Sequence, residues 1–422
     1  MKEKTIMQRT QQTGAVSLFI VVFSALLMTI VTVSFVTLMV TNQQQSSAND
    51  LSDSALDSAQ SGVEDAKRAL LQYQQLCTGA NLVTNAQECS TIANTDMTTC
   101  NGVFQDGHLS IPGIQSNSDG SVTVGSDSGY NQAYTCVEIL LNTPTYVGVL
   151  NANQSALVPL VAADPSTGNQ VAFDTVEIQW YTKADLQSTT GSSTVAVSGA
   201  SPSSPPLLSQ AQWPLNEPSI MRAQLMQFDS VGGFTLGSSS PTEPGFDGND
   251  SADQQSNTGT VFLYPTNTSA KTTASLYTPR GTNEGSTGTT PQNVSCVTSL
   301  ANTIYACTEF LTLPEPINYK STDAPSDIVR FLNIDALYNA THYSISLLSS
   351  GTPVDFDGVQ PEIDSTGRAD NVYRRVDSHV NYADNSFPYP DAAVAISGNL
   401  CKDFIVSTAA PDLPADSTVC TP

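Results

Sequence analysis

The stretch Ala15–Val40, AVSLFIVVFSALLMTIVTVSFVTLMV, decides the fold: 26 residues without a charge, a proline or a glycine. As a helix rising 1.5 Å per residue it reaches roughly 39 Å, enough to cross a bilayer with some tilt. Lys2, Lys4 and Arg9 precede it, and the first charge after it is Asp50. The positive-inside rule therefore expects a single-pass membrane protein with a cytoplasmic N-terminus and its bulk outside. A cleaved secretory signal is the poorer reading, because its apolar region runs only ~7–15 residues.

The helical pattern continues past residue 40. Thr41–Cys77 contains no proline and one glycine, Gly62. Leu51, Ala55, Ala59, Val63, Ala66, Leu70, Tyr73 and Cys77 recur at steps of three and four, forming one helical stripe. Asp50, Asp53, Asp57, Glu64, Asp65, Lys67 and Arg68 occupy the opposite face. One helix from Ala15 to about Cys77 would be on the order of 90 Å long, apolar first and amphipathic after.

A short charged leader ending at Gly14, an apolar run opening at Ala15 and an unbroken helical continuation resemble the type IV pilin superfamily, most closely its PilX-type minor pilins. The resemblance covers about residues 9–76. It implies a prepilin leader (1–14) cut between Gly14 and Ala15 by a prepilin peptidase, a transmembrane segment (15–40) and its amphipathic extension (41–77). It further implies partners: other pilin subunits, the pilus assembly machinery and the membrane. Leu18, Phe19, Ile20, Phe23, Leu26, Leu27, Ile30, Phe35 and Leu38 would line the membrane and filament contacts. One position departs from the family. The fifth residue after Gly14 is Phe19, where pilins usually carry a Glu that meets a neighbour's N-terminal amine. That departure fits a minor or tip-type subunit better than a major one.

Lys and Arg number 15 and Asp and Glu 39, giving −24. Removing Met1–Gly14 takes away three cations and one acid, so −24 − 2 = −26. A surface this acidic excludes nucleic-acid binding through clustered Lys and Arg. Only 13% of residues are charged, and the abundance of Ser, Thr, Asn, Gln and Gly is that of a secreted β-rich chain.

The eight cysteines are Cys77, Cys89, Cys100, Cys136, Cys296, Cys307, Cys401 and Cys420. None forms CxxC, so on an exported chain they read as disulfides and not as a zinc site. Proximity pairs Cys296 with Cys307 and Cys401 with Cys420. The first four allow three connectivities.

Residues 78–133 read as a polar, disulfide-stapled connection, comparable in place to the variable loop that follows the long helix of pilins. Beyond it the periodicity falls to two. Strands are expected over Tyr134–Leu141, Thr175–Tyr181, Met221–Phe228, Thr260–Pro265, Ser326–Leu337, His342–Leu348, Val359–Asp364, Asn371–Val380 and Ala392–Ser397. Ser365–Gly367 is read as the turn of a hairpin between two of them. Ser188–Pro206, Ser230–Gly259 and Ser269–Asn293 are low-complexity, too polar to bury anything, and read as exposed loops. The expected fold is α+β: a long N-terminal helix carrying a large, mostly antiparallel β region, in parts 134–300 and 301–422.

Candidate chemistry is sparse. The three histidines, His108, His342 and His379, have no G-x-S-x-G, H-E-x-x-H or phosphate-loop context. Asp247, Asn249, Asp250 and Asp253 in FDGNDSAD gather oxygens as calcium loops do, but Gly248 breaks the pattern and no closing Glu follows. They read as solvated turn residues. Arg374 and Arg375 are strand neighbours pointing to opposite faces, one expected to meet a carboxylate and the other water. Tyr338, Tyr343, Tyr373, Tyr382 and Tyr389 read as sheet-packing aromatics before sugar-binding ones.

The chain thus reads as a structural, non-enzymatic subunit without a cofactor, its loops meeting cell surfaces or carbohydrate. The alternative is a signal-anchored adhesin or hydrolase that never polymerises. It would need no cut after Gly14, and its helical stripe would pack on its own domain.

Overall fold

The computed structural model describes residues 13–77, 79–105, 107–109, 111–114, 116–124, 131–187, 193–197, 212–229, 249–250, 255–256, 258–267, 274–275, 292–315, 324 and 327–381. Helix α1 spans Thr13–Leu76, 64 residues without a break, as the run without proline requires. Short helices α2 (Gly79–Thr84), α3 (Ala86–Thr91) and α4 (Gly102–Gln105) follow, with a π-helical turn over Ile92–Asp96. The first part of the connection expected to be loop, residues 79–105, is therefore largely helical. Its helices are single turns that a search for long periodic stripes passes over.

The strands are β1 (Val122–Thr123), β2 (Ala133–Leu140), β3 (Tyr146–Leu150), β4 (Ser155–Pro159), β5 (Ala162–Ala163) and β6 (Thr175–Thr182). Then come β7 (Ile220–Asp229), β8 (Asn249–Asp250), β9 (Gln255–Ser256), β10 (Thr258–Thr266), β11 (Ala274–Ser275) and β12 (Gln292–Ser295). The last six are β13 (Tyr305–Thr312), β14 (Ile328–Leu337), β15 (Thr341–Ser349), β16 (Thr352–Phe356), β17 (Glu362–Ala369) and β18 (Val372–His379). A long apolar helix followed by an antiparallel-dominated β region is the α+β class.

The chain divides into two compact units. The first holds residues 1–138 and 364–377, and the second holds residues 139–363 and 378–422. In the first, α1 packs on a sheet of order β1-β2-β17-β18, whose strands β2, β17 and β18 each have two residues in the second unit. Its core includes Ala59, Ala66, Leu70, Ile92, Met97 and Tyr134, all fully buried.

The second unit is a sandwich. One sheet has the order β12-β10-β7-β14-β4, the other β11-β13-β6-β15-β16-β5 with β3 also paired to β15. Val176, Ile178 and Trp180 of β6 point inward together, as their alternation predicts, and meet Leu225, Leu332 and Ile334 of the facing sheet in one core. The expected division near residue 300 is absent, since β6 lies between β13 and β15. Low-complexity sequence near 269–293 separates strands of one sandwich and not two subdomains.

Two further readings need correction. Ser365–Gly367 is not a turn: all three lie inside β17, and the hairpin turns at Asp370 and Asn371, with Asp370 at φ +52°. Ser188–Pro206 is not wholly excluded from the interior, because Val195 is buried in the sandwich core. Cysteine pairs Cys77–Cys89, Cys100–Cys136 and Cys296–Cys307 are disulfide-bonded. Cys401, Cys420, Ala392–Ser397, Asp247 and Asp253 lie outside the described residues, and Asn249–Asp250 forms β8 beside β9.

Candidate functional site: the N-terminal helix and its seat

Helix α1 is one element with two environments. From Leu18 to Val40 every large apolar side chain is exposed, Leu18 at 69%, Phe19 at 73% and Met28 at 74%. Phe19 and Phe23 stack with ring centroids 6.5 Å apart on this uncovered surface. The polar atoms here are turned inward. Thr29 donates to the Leu26 carbonyl, Thr32 to Met28, Ser34 to Ile30, Thr37 to Val33 and Thr41 to Thr37, at 2.7–2.9 Å. A hydroxyl satisfied by its own helix no longer needs water, so these positions do not oppose burial in hydrocarbon. This helix is long and apolar enough to cross a membrane.

The other half is seated within the first unit. Of the stripe read from the sequence, Ala55, Ala59, Val63, Ala66, Leu70 and Cys77 are buried while Leu51 and Tyr73 are half-buried, and fully buried Ser58 and Ala69 widen it. Small residues set how closely the sheet approaches. A Cβ on Gly367 of β17 would lie 2.2 Å from the Ala55 carbonyl oxygen and 2.2 Å from the Ala59 nitrogen. A Cβ on Gly62 would lie 2.4 Å from the Ser365 hydroxyl oxygen and 2.9 Å from Val137. At this crossing Ser365 donates to the Ala59 carbonyl at 2.7 Å.

Polar contacts flank the crossing. Tyr134, fully buried, donates its hydroxyl to Asp65 at 3.0 Å, and Arg68 reaches the same carboxylate at 3.1 Å. Burial first, then the Asp65 charge, pushes the Tyr134 phenol above its ordinary range. Arg374 donates to Ser52 at 2.9 and 2.6 Å, so one of the paired arginines binds the helix. Arg375, on the other face of β18, binds Asp364, with one contact at 2.6 Å. The carboxylate expected for one of them is cross-strand Asp364, which Arg375 holds, and the arginine expected to meet only water, Arg374, reaches α1 through Ser52.

Other candidates are structural. His108 and His342 each hold an aspartate: Asp96 at 2.7 Å and Asp185 at 2.6 Å. Asp185 also accepts the Thr182 N–H at 2.7 Å and the His342 N–H at 3.1 Å, clamping the end of β6 to β15. Cys100, Cys136 and Glu138 lie together, but the sulfurs are tied in a disulfide and offer no thiolate to a metal. Tyr343 stacks on Tyr146 and Tyr338 on Trp213, as sheet-packing aromatics do, while Tyr373 is exposed. Tyr382 and Tyr389 lie outside the described residues.

Sequence reading found the apolar stretch and the stripe. It missed Gly367, Ser365, Tyr134 and Ser52, whose roles depend on a partner that is remote in the chain. Comparison with protein families, with curated proteins and with solved structures gives no match.

Proposed function

We propose that this chain is a membrane-anchored structural subunit of a pilus-like filament, of minor or tip type. Prepilin peptidase cuts it after Gly14. Its N-terminus starts in the cytoplasm, and the β units stand outside the cell and bear the surface contacts. One observation carries the reading: α1 leaves Leu18–Val40 uncovered while Ala55–Leu70 is seated in the first unit. An apolar rod of that kind is stable in lipid, and equally stable among similar rods of neighbouring subunits. Transfer from one to the other need not expose it to water. No catalytic role is proposed.

Mass spectrometry of the mature N-terminus tests this. The expected chain begins at Ala15, and Gly14→Leu accumulates the uncut form. A native protein that starts at Met1 overturns the pilin reading.

The seating of Ala55–Leu70 on its own unit is also what the anchored, non-polymerising adhesin or hydrolase requires, and it supports that second reading. It does not exclude assembly, because assembly draws on Leu18–Val40. Under the second reading the protein is uncut and absent from sheared filament fractions.

A further inference from the structure

We propose that the β17–β18 hairpin carries a surface site for a divalent transition-metal ion, with Glu362, Asp377 and His379 as its three protein ligands. This goes beyond the filament reading and does not depend on it.

β18 is the edge of its sheet and pairs with β17. Val380 donates its N–H to the Pro361 carbonyl at 2.9 Å, a ladder bond that sets His379 opposite Glu362. Asp377 lies two residues back along β18 and so shares the face of His379. On β17 the faces are distinct: Ile363, Ser365, Gly367 and Ala369 are buried, while Glu362, Asp364, Thr366 and Arg368 are only half-buried. Ser365 and Gly367 meet α1, so the three ligands occupy the face turned away from the helix. One ligand atom from each of Glu362, Asp377 and His379 lies within 4.8 Å of the other two. All three stand on one two-stranded ladder, and its own backbone bonds fix their spacing.

Ligands about 2.1 Å from a tetrahedral Zn²⁺ stand about 3.4 Å apart, so small side-chain rotations close the set. Asp377 and His379 are exposed, and among the described residues their side chains form no hydrogen bond or ion pair that such rotations would break. Arg375 on the same face is held by Asp364, and its electrostatic attraction to Asp377 is the weaker one. Two carboxylates balance the charge of a divalent ion. The imidazole favours Zn²⁺ over Mg²⁺ and Ca²⁺, which take oxygen ligands. Three protein ligands leave the fourth tetrahedral position to water. The Cys100–Cys136–Glu138 grouping serves as a contrast, because its sulfurs are spent on a disulfide.

The test is calorimetric titration of the full chain with Zn²⁺, after stripping with chelator, in detergent micelles and with excess Ca²⁺ to occupy the acidic surface. Wild type is expected to take up one saturable equivalent. His379→Ala, Asp377→Asn and Glu362→Gln should each weaken it by at least the roughly 10–100-fold that outer-shell changes cost. His108→Ala and His342→Ala should leave it unchanged. Asp377 and His379 are exposed, so their variants keep the test valid if Glu362→Gln disturbs the hairpin. Absence of saturable Zn²⁺ uptake by wild type, or an equivalent that survives His379→Ala or Asp377→Asn, overturns the site.

Discussion

Gly367 lies where β17 passes closest to α1, and the obstacles a side chain would meet there are backbone atoms, the Ala55 carbonyl and the Ala59 nitrogen. Backbone in mid-helix cannot swing aside, so Gly367→Ala must push sheet from helix. The expected loss is about 3 kcal/mol, the upper end of overpacking effects, read as a fall in urea midpoint with unchanged slope. Gly62→Ala should cost less, since its nearest obstacle is the Ser365 hydroxyl, which can rotate at the expense of its bond to Ala59. Equal midpoints for wild type and Gly367→Ala would show that the crossing is looser than described. Ser-Thr-Gly in sequence invites a turn because small polar residues serve turns. A close approach asks for the same residues, and only the remote helix tells the two apart. Phe19 belongs at this scale too. Under the proposed filament reading, with Phe where a pairing carboxylate is usual in pilins, incorporation would rest on apolar packing. Phe19→Glu would place a charge in hydrocarbon at about 2.5–3.5 kcal/mol or more unless it pairs. Phe19→Leu should leave membrane and filament fractions unchanged, and Phe19→Glu should redistribute the protein between them. Immunogold labelling reads the outcome, and dense labelling along wild-type shafts would contradict a minor or tip role.

Among the elements, α1 was the most legible, because its evidence is local: an unbroken apolar run, then a three–four stripe. Its exposed half also gives a direct test. Met28, 74% exposed, sits in mid-segment, and its contact with Thr32 runs through the backbone carbonyl, which a substitution keeps. Met28→Lys should raise the cost of membrane integration by about 2.5–3.5 kcal/mol, and a larger share of protein should leave the membrane pellet on carbonate extraction. An unchanged pellet would mean that this surface is not in lipid. Strands were legible where alternation was clean, as in β6 and β14, and missed where the core accepts unexpected residues. In β13, YACTEFLT, the inward positions include Cys307 and Glu309, which break an apolar pattern. In β3, YVGVL, Gly148 reads as a breaker. Its lack of a side chain in fact makes room for Tyr343, whose hydroxyl oxygen lies 2.5 Å from where a Cβ would stand. Burial of a polar residue and accommodation of a neighbour's ring are decided across strands, so no window of sequence reports them.

At the scale of the whole molecule, chain order misleads: the first unit is assembled from residues 1–138 and 364–377, and the sandwich takes strands from both sides of residue 300. Composition alone cannot locate such boundaries, since nothing changes in residue usage where the chain crosses from one unit to the other. What both units share is a set of buried phenols, Tyr134 in the first and Tyr146, Tyr181 and Tyr343 in the second. Burial is the leading cause in each case and raises all four above the ordinary tyrosine range; Tyr343 is raised further by its Tyr146 neighbour and Tyr181 by Asp185 and Glu217. The sign of the linkage follows. The folded state holds these four protons more tightly than the unfolded chain, whose tyrosines ionise near pH ~10. Their contribution to stability is therefore complete below pH ~10 and declines as pH rises beyond it, at a slope of ~1.4 kcal/mol per pH unit for each phenol still protonated when folded. Spectrophotometric titration of tyrosinate reads this directly. Of the 14 tyrosines, exposed ones such as Tyr373 should ionise smoothly near pH ~10, while at least four appear later, in a step that coincides with loss of the folded circular-dichroism signal. Tyr134→Phe should remove one phenol from the late step and reduce the alkaline slope, at about 1 kcal/mol for the lost bond to Asp65. Ionisation of all 14 in one smooth transition, with the fold intact, would show that these hydroxyls reach water.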